Sequence, residues 1–158
     1  MGFKSKFLLD NDETYFIAEI GINHNGVISL AKKMIKKSSD IGAHAVKFQK
    51  RDPKMLLLEG VQVPNPTGYL SKSETDFPTE EKAFGSWDYP DIRLEFTNDQ
   101  HLELWKYAKS LNLDYIISPW DENSLNFLVK NNAKVIKIAS IDTNNFSFME
   151  LVAQKQIP

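Results

Sequence analysis

Apolar and polar residues alternate along the chain in short blocks, some with the period of a strand and some with that of a helix. Tyr15 to Gly21 (YFIAEIG) is an apolar run rich in strand formers, interrupted by Glu19. Asn23, His24, Asn25 and Gly26 read as a loop. From Ser29 to Ser38, Leu30, Ala31, Met34 and Ile35 fall at helical spacing, with Lys32, Lys33, Lys36 and Lys37 on the other face. Gly42 stops that helix, and Ala43 to Gln49 (AHAVKFQ) is a second strand. Strand, loop, helix and strand in this order favour parallel pairing through a right-handed crossover.

Lys50 to Arg93 breaks the rhythm with five prolines, at positions 53, 64, 66, 78 and 90. Loops of such length in a compact domain are usually functional or disordered, and Met55 to Leu58 gives this one an apolar island. Because the alternation resumes unchanged afterwards, the segment is a long loop within one domain rather than a linker. Thr97 and Gln100 have the spacing of a capping box, opening a helix through Leu102, Trp105 and Ala108. Tyr115 to Pro119 is a third strand, and Asp121 to Lys130 a helix with Leu125 and Leu128 inward. Lys134 to Ser140 (KVIKIAS) reads as a fourth strand. Ser147 and Glu150 form another possible capping box, before Leu151 and Val152.

Each strand carries a polar residue near its C-terminal end that a buried parallel strand would not take for stability. These are Glu19, then Lys47 and Gln49, then Ser118, then Lys137 and Ser140. In α/β folds that edge holds the ligand site. Two lysines and two hydroxyls around one mouth suit an anion bearing phosphate and carboxylate. A bland account stands beside this one, in which Lys47 or Lys137 pairs with Glu19 for structure alone. His24 could bind a ligand or stabilise its loop. His44, at the opposite edge, reads as structural, and His101 as a solvated helix residue. No His, Asp or Glu cluster has metal-ligand spacing.

Composition narrows the possibilities further. The 158 residues carry 19 basic and 21 acidic side chains, which argues against a nucleic-acid partner held by phosphate contacts. The absence of cysteine removes thiolate chemistry. No apolar run is long enough for a membrane helix, and residues 1–15 lack a secretory pattern, so the expected compartment is cytoplasmic.

Phe16 to Gly26 (FIAEIGINHNG) and Ala45 to Lys50 (AVKFQK), together with Leu94 to Leu113 (LEFTNDQHLELWKYAKSLNL), Tyr115 to Glu122 (YIISPWDE) and Lys137 to Phe146 (KIASIDTNNF), resemble the sialic acid synthase family. That resemblance runs in order from Tyr15 onward. It implies the first four β/α units of a TIM (β/α)8 barrel, truncated, since a whole barrel takes about 250 residues. On this reading residues 1–158 form a partial synthase barrel domain with a long loop at about 50–93. The later barrel strands and a C-terminal antifreeze-like domain would be absent. The implied reaction condenses phosphoenolpyruvate with N-acetylmannosamine or its 6-phosphate, releasing phosphate, with manganese or magnesium assisting. Lys47, Ser118, Lys137 and Ser140 would hold phosphoenolpyruvate, Glu19 would position water or shuttle a proton, and Gln49 and Asp142 would face the sugar. The family's metal-binding histidines belong to later strands. Its Gly-Glu-His-like stretch is replaced here by Tyr89 to Arg93. The chain alone is therefore expected to be weakly active or inactive, though relatives of full length would be homodimers. Two other readings are a Schiff-base aldolase using Lys137 or Lys47, and a non-catalytic half-barrel that self-associates through free strand edges.

Overall fold

The computed structural model describes residues 14–52, 55 and 94–158. Most of the proline-rich loop, including its apolar island beyond Met55 and the Tyr89 to Arg93 stretch, lies outside the described residues. Three parallel strands, β1 (Ile17–Gly21), β2 (Ala45–Lys50) and β3 (Asp114–Pro119), form one sheet in the order β1-β2-β3. Helices α1 (Ile28–Asp40), α2 (Asn98–Ser110), α3 (Glu122–Lys130) and α4 (Phe146–Ala153) complete the described elements, with a 3₁₀ turn at Ser140–Asp142. This is an α/β arrangement that follows the predicted order up to β3.

The strand alternation sorts residues between two faces. Val46 and Phe48 on β2, with Ile20, Tyr115 and Ile117 on the neighbouring strands, join one apolar core. Ala31 and Ile35 from α1, Leu104 and Ala108 from α2, and Leu125 and Leu128 from α3 complete it. The helices therefore cover one face of the sheet. On the other face, Glu19 stands opposite Lys47, and Gln49 opposite Ser118. The β1–β2 register shifts between Glu19 and Gly21, a local irregularity of the kind that re-aims side chains near sites.

Local chemistry explains most element ends. Gly42 takes φ +79° just beyond α1, in the left-handed region that favours glycine. At α2 the capping box is complete: Thr97 Oγ1 accepts from the Gln100 amide at 3.2 Å, and the Thr97 amide donates to Gln100 Oε1 at 2.9 Å. Asp121 caps α3, accepting from the Ser124 amide at 2.7 Å.

Three expectations are corrected. Lys134 to Ser140 is not a paired strand. The Ile136 amide donates to the Pro158 carbonyl and the Ala139 carbonyl accepts from Asp142, and no described backbone bond joins this stretch to β3. α4 is capped by Asn145, which accepts from the Phe148 amide at 3.3 Å, so Ser147 lies inside the helix and its spacing to Glu150 is not used as a box. His101 is 1% exposed. It shares a face with Leu104 and Ala108, three and seven positions on, and that stripe is the one turned to the sheet.

A buried ion pair ties β2 to the start of α2. Arg51 donates to Glu95 Oε1 from Nε and from Nη2, both at 2.5 Å, and its amide donates to Glu95 Oε2 at 3.0 Å. The two side chains are 5% and 7% exposed. Burial pushes the Glu95 carboxyl above its ordinary range, with Arg51 opposing that shift. Glu95→Ala strands a buried guanidinium, and is expected to lower stability by about 3–5 kcal/mol. Replacing both partners, as Arg51→Met with Glu95→Leu, should recover most of that loss; urea denaturation of the three chains measures both effects.

Candidate functional site

A cleft of about 570 Å³ opens at the C-terminal ends of β1 and β2. Its walls include Glu19, Lys47, Gln49, Lys137 and Ser140, five of the seven side chains singled out from the sequence. Lys47 Nζ lies 2.5 Å from Glu19 Oε2 and donates to Ser118 Oγ at 3.4 Å, so one ammonium links all three strands. Ser118 is fully buried behind the cleft rather than on its wall. Asp142 stands in the 3₁₀ turn that follows Ser140. One of its oxygens accepts from Asn145 Nδ2 at 3.1 Å, and the other is buried without a partner. Lys137 donates to the Ile138 carbonyl and is otherwise exposed to the cleft. Although its segment is unpaired, Ile136 and Ala139 are buried while Lys137 and Ser140 are exposed.

The Glu19–Lys47 pair meets the structural account raised from the sequence, and it also lies in the cleft wall. Gly21 is required beside it: φ is +57°, and an added Cβ would stand 3.3 Å from Glu19 Oε1 and 3.7 Å from Gln49 Nε2. Trp120 forms a further wall that the sequence reading missed. Its ring lies 5.3 Å from the Arg51 guanidinium, and its indole N–H is buried without a partner. The Arg51–Glu95 ion pair is thus in contact with the cleft through one aromatic ring.

No group of three His, Asp or Glu side chains among the described residues is placed to hold a metal ion. Glu19 is already committed to Lys47. The described donor set therefore does not fit a divalent cation. No helix of the described residues is long and apolar enough to cross a membrane.

His24 and His101 lie among the core aromatics, and His44 just before the start of β2. His24 is 1% exposed, stacked on Phe96 with ring centroids 4.1 Å apart. His101 Nδ1 is 3.0 Å from the Tyr115 hydroxyl, and its Nε2 is buried without a partner. His44 Nδ1 accepts from the Phe16 amide at 2.9 Å, the structural role expected of it. Burial lowers His24 to about 4 and His101 to about 3. Each folded value lies below the unfolded value near 6.5, so in the interval between them the unfolded chain binds the extra proton. Stability is thus complete above pH 6.5 and falls as the pH drops towards 4, by about 1.4 kcal/mol per pH unit for each histidine. Urea midpoints measured between pH 7 and 4.5 check this slope; His101→Phe should flatten it.

A family model described as the NeuB family matches residues 34–158. The N-acetylneuraminate-9-phosphate synthase of Drosophila melanogaster is 39% identical over 148 residues, covering 93% of this chain and 37% of the relative. The N,N'-diacetyllegionaminic acid synthase of Legionella pneumophila is 29% identical over 145 residues, covering 91% of this chain and 38% of the relative. Among solved structures, an N-acetylneuraminic acid synthetase from Leptospira borgpetersenii in complex with citrate aligns with TM-score 0.67 and 26% identity. That alignment covers 90% of this chain and 42% of the other. The chain spans little more than a third of the length of these curated relatives.

Proposed function

The chain belongs to the NeuB family, and from that premise we propose that it carries the phosphoenolpyruvate-binding part of a synthase making a nine-carbon acidic sugar. The reaction joins the enol carbon of phosphoenolpyruvate to the aldehyde carbon of an open-chain N-acetylmannosamine-type sugar, free or 6-phosphorylated. One water is consumed and phosphate leaves. The observation that carries this reading is the meeting of Lys47, Lys137, Gln49 and Ser140 around one cleft, with Glu19 beside them.

Each residue has a chemical task in this proposal. Lys137 and Lys47 supply compact positive charge for the phosphate and carboxylate, and stabilise charge as it redistributes during attack. Ser140 adds a short hydrogen bond to a ligand oxygen, and Ser118 holds the Lys47 ammonium from behind. Glu19, in the wall of the same cleft, positions the attacking water or shuttles a proton. Gln49 and Asp142 face the sugar, Asp142 standing two residues beyond Ser140. Manganese or magnesium, implied by the resemblance, finds no ligand set among the described residues, and no step here runs through it. For Lys47 the Schiff-base alternative gains no support, because its Nζ is engaged by Glu19 and Ser118.

Calorimetric titration with phosphoenolpyruvate tests the proposal directly. The wild-type chain should bind it, with inorganic phosphate competing. Lys47→Met and Lys137→Met should each weaken binding about tenfold or more, the worth of one charge-assisted contact. Wild-type binding that neither substitution alters, or no binding at all, overturns the assignment.

A further inference from the structure

The loop between β1 and α1 has an unusual backbone. Gly21, Asn25 and Gly26 take φ of +57°, +52° and +73°, so three of six consecutive residues are left-handed. Its internal bonds are few: Asn23 N to Ile20 O at 3.0 Å, Asn25 N to Ile22 O at 3.0 Å, and Val27 N to His24 O at 2.9 Å. Left-handed conformations are costly for residues with a Cβ and persist where surrounding contacts determine them. Gly21, Ile22 and Asn23 in this loop form part of the cleft wall.

We propose that His24 is a positioning residue, whose neutral ring with its proton on Nε2 holds the Gly21–Asn23 wall in place and so keeps Ile22 and Asn23 in the cleft lining. The Gly26 amide donates to His24 Nδ1 at 3.0 Å, so that nitrogen carries no proton. The proton is then on Nε2, which bonds the Gly21 carbonyl. One ring thereby joins the first and last left-handed glycines of the loop. The ring is itself clamped, stacked on Phe96 and set 5.8 Å from Phe48, both members of the core. Protonating Nδ1 would turn an acceptor into a second donor facing the Gly26 N–H. Arg51, just past β2, opposes a further positive charge on the ring, and burial keeps the neighbouring His101 on α2 neutral. An apolar ring of the same size would fill the space but leave the Gly26 amide and the Gly21 carbonyl unpaired.

The inference rests on the proposed function only for what the wall serves, and its test separates the two. In the wild-type chain, ¹⁵N chemical shifts of His24 should show the Nε2-protonated form persisting below pH 5. A proton on Nδ1, or titration near 6.5, overturns the inference without any variant. His24→Phe keeps the stack on Phe96 and removes both hydrogen bonds. Amide exchange at Asn23–Gly26 should then accelerate about tenfold or more, while Leu104 and Ile117 stay protected, and phosphoenolpyruvate affinity should fall about fivefold. Exchange and affinity equal to wild type would mean that the ring only fills space, and would overturn the positioning role. Should the wild-type chain bind no phosphoenolpyruvate, the proposed function fails, and the tautomer and exchange measurements still decide the role of His24.

Discussion

The buried contact between Arg51 and Glu95 fixes the end of the sheet on which everything else is arranged. It couples the residue just after β2 to a carboxylate 44 positions away in sequence, immediately before α2. Where Glu95 is held, the capped start of α2 follows within two residues, and with it the stripe of His101, Leu104 and Ala108 that seals the core. The neighbouring Asp121 extends the arrangement, accepting from the Asp52 amide at 2.6 Å and from Ser124 Oγ at 2.8 Å while it caps α3. Lys50 is buried beside them with its ammonium 5.1 Å from the Phe127 ring, and its loss of solvation depresses its basicity. Arg51 and Glu95 hold their geometry because both side chains are buried and bonded to each other.

From that edge the two faces of the sheet divide the work. The helix side is an aromatic and aliphatic core in which Phe48, Phe96, Tyr115 and the two buried histidines lie ring against ring. The opposite side holds the polar residues of the strands. Trp120 touches Arg51 and walls the cleft. Rigidity in the core is thereby passed to the groups that would meet a ligand, as precise placement of such groups requires.

How much of this was legible depends on what each residue needed. The first three strands and the α2 cap are local matters, and alternation and side-chain chemistry identify them. The segment from Lys134 to Ser140 has a strand's composition, yet strand formation needs a bonded neighbour, which composition does not supply. His101 was misplaced because the α2 pattern admits two phases, and only the sheet beneath selects the one that buries it. Glu19, Lys47, Gln49, Lys137 and Ser140 stood out because each is polar in an apolar run. Arg51 and Trp120 sit just past their strands, where polar or aromatic residues attract no notice, and Glu95 is recognisable only once its distant partner is known. The one available hint was a carboxylate between Leu94 and Phe96.

The link from Lys47 to Glu19 has a consequence for which anions the cleft admits. At rest the ammonium is already neutralised by a carboxylate 2.5 Å away. An incoming anion gains only the difference between the new ion pair and the old one, and a small singly charged ion gains little. Under the proposed function, a ligand with two anionic groups on a short frame would displace Glu19 from Lys47 with one and engage Lys137 with the other, the second contact being intramolecular. Under the same proposal, the resting ion pair would act as a selectivity filter, rejecting abundant monoanions by competition rather than by shape.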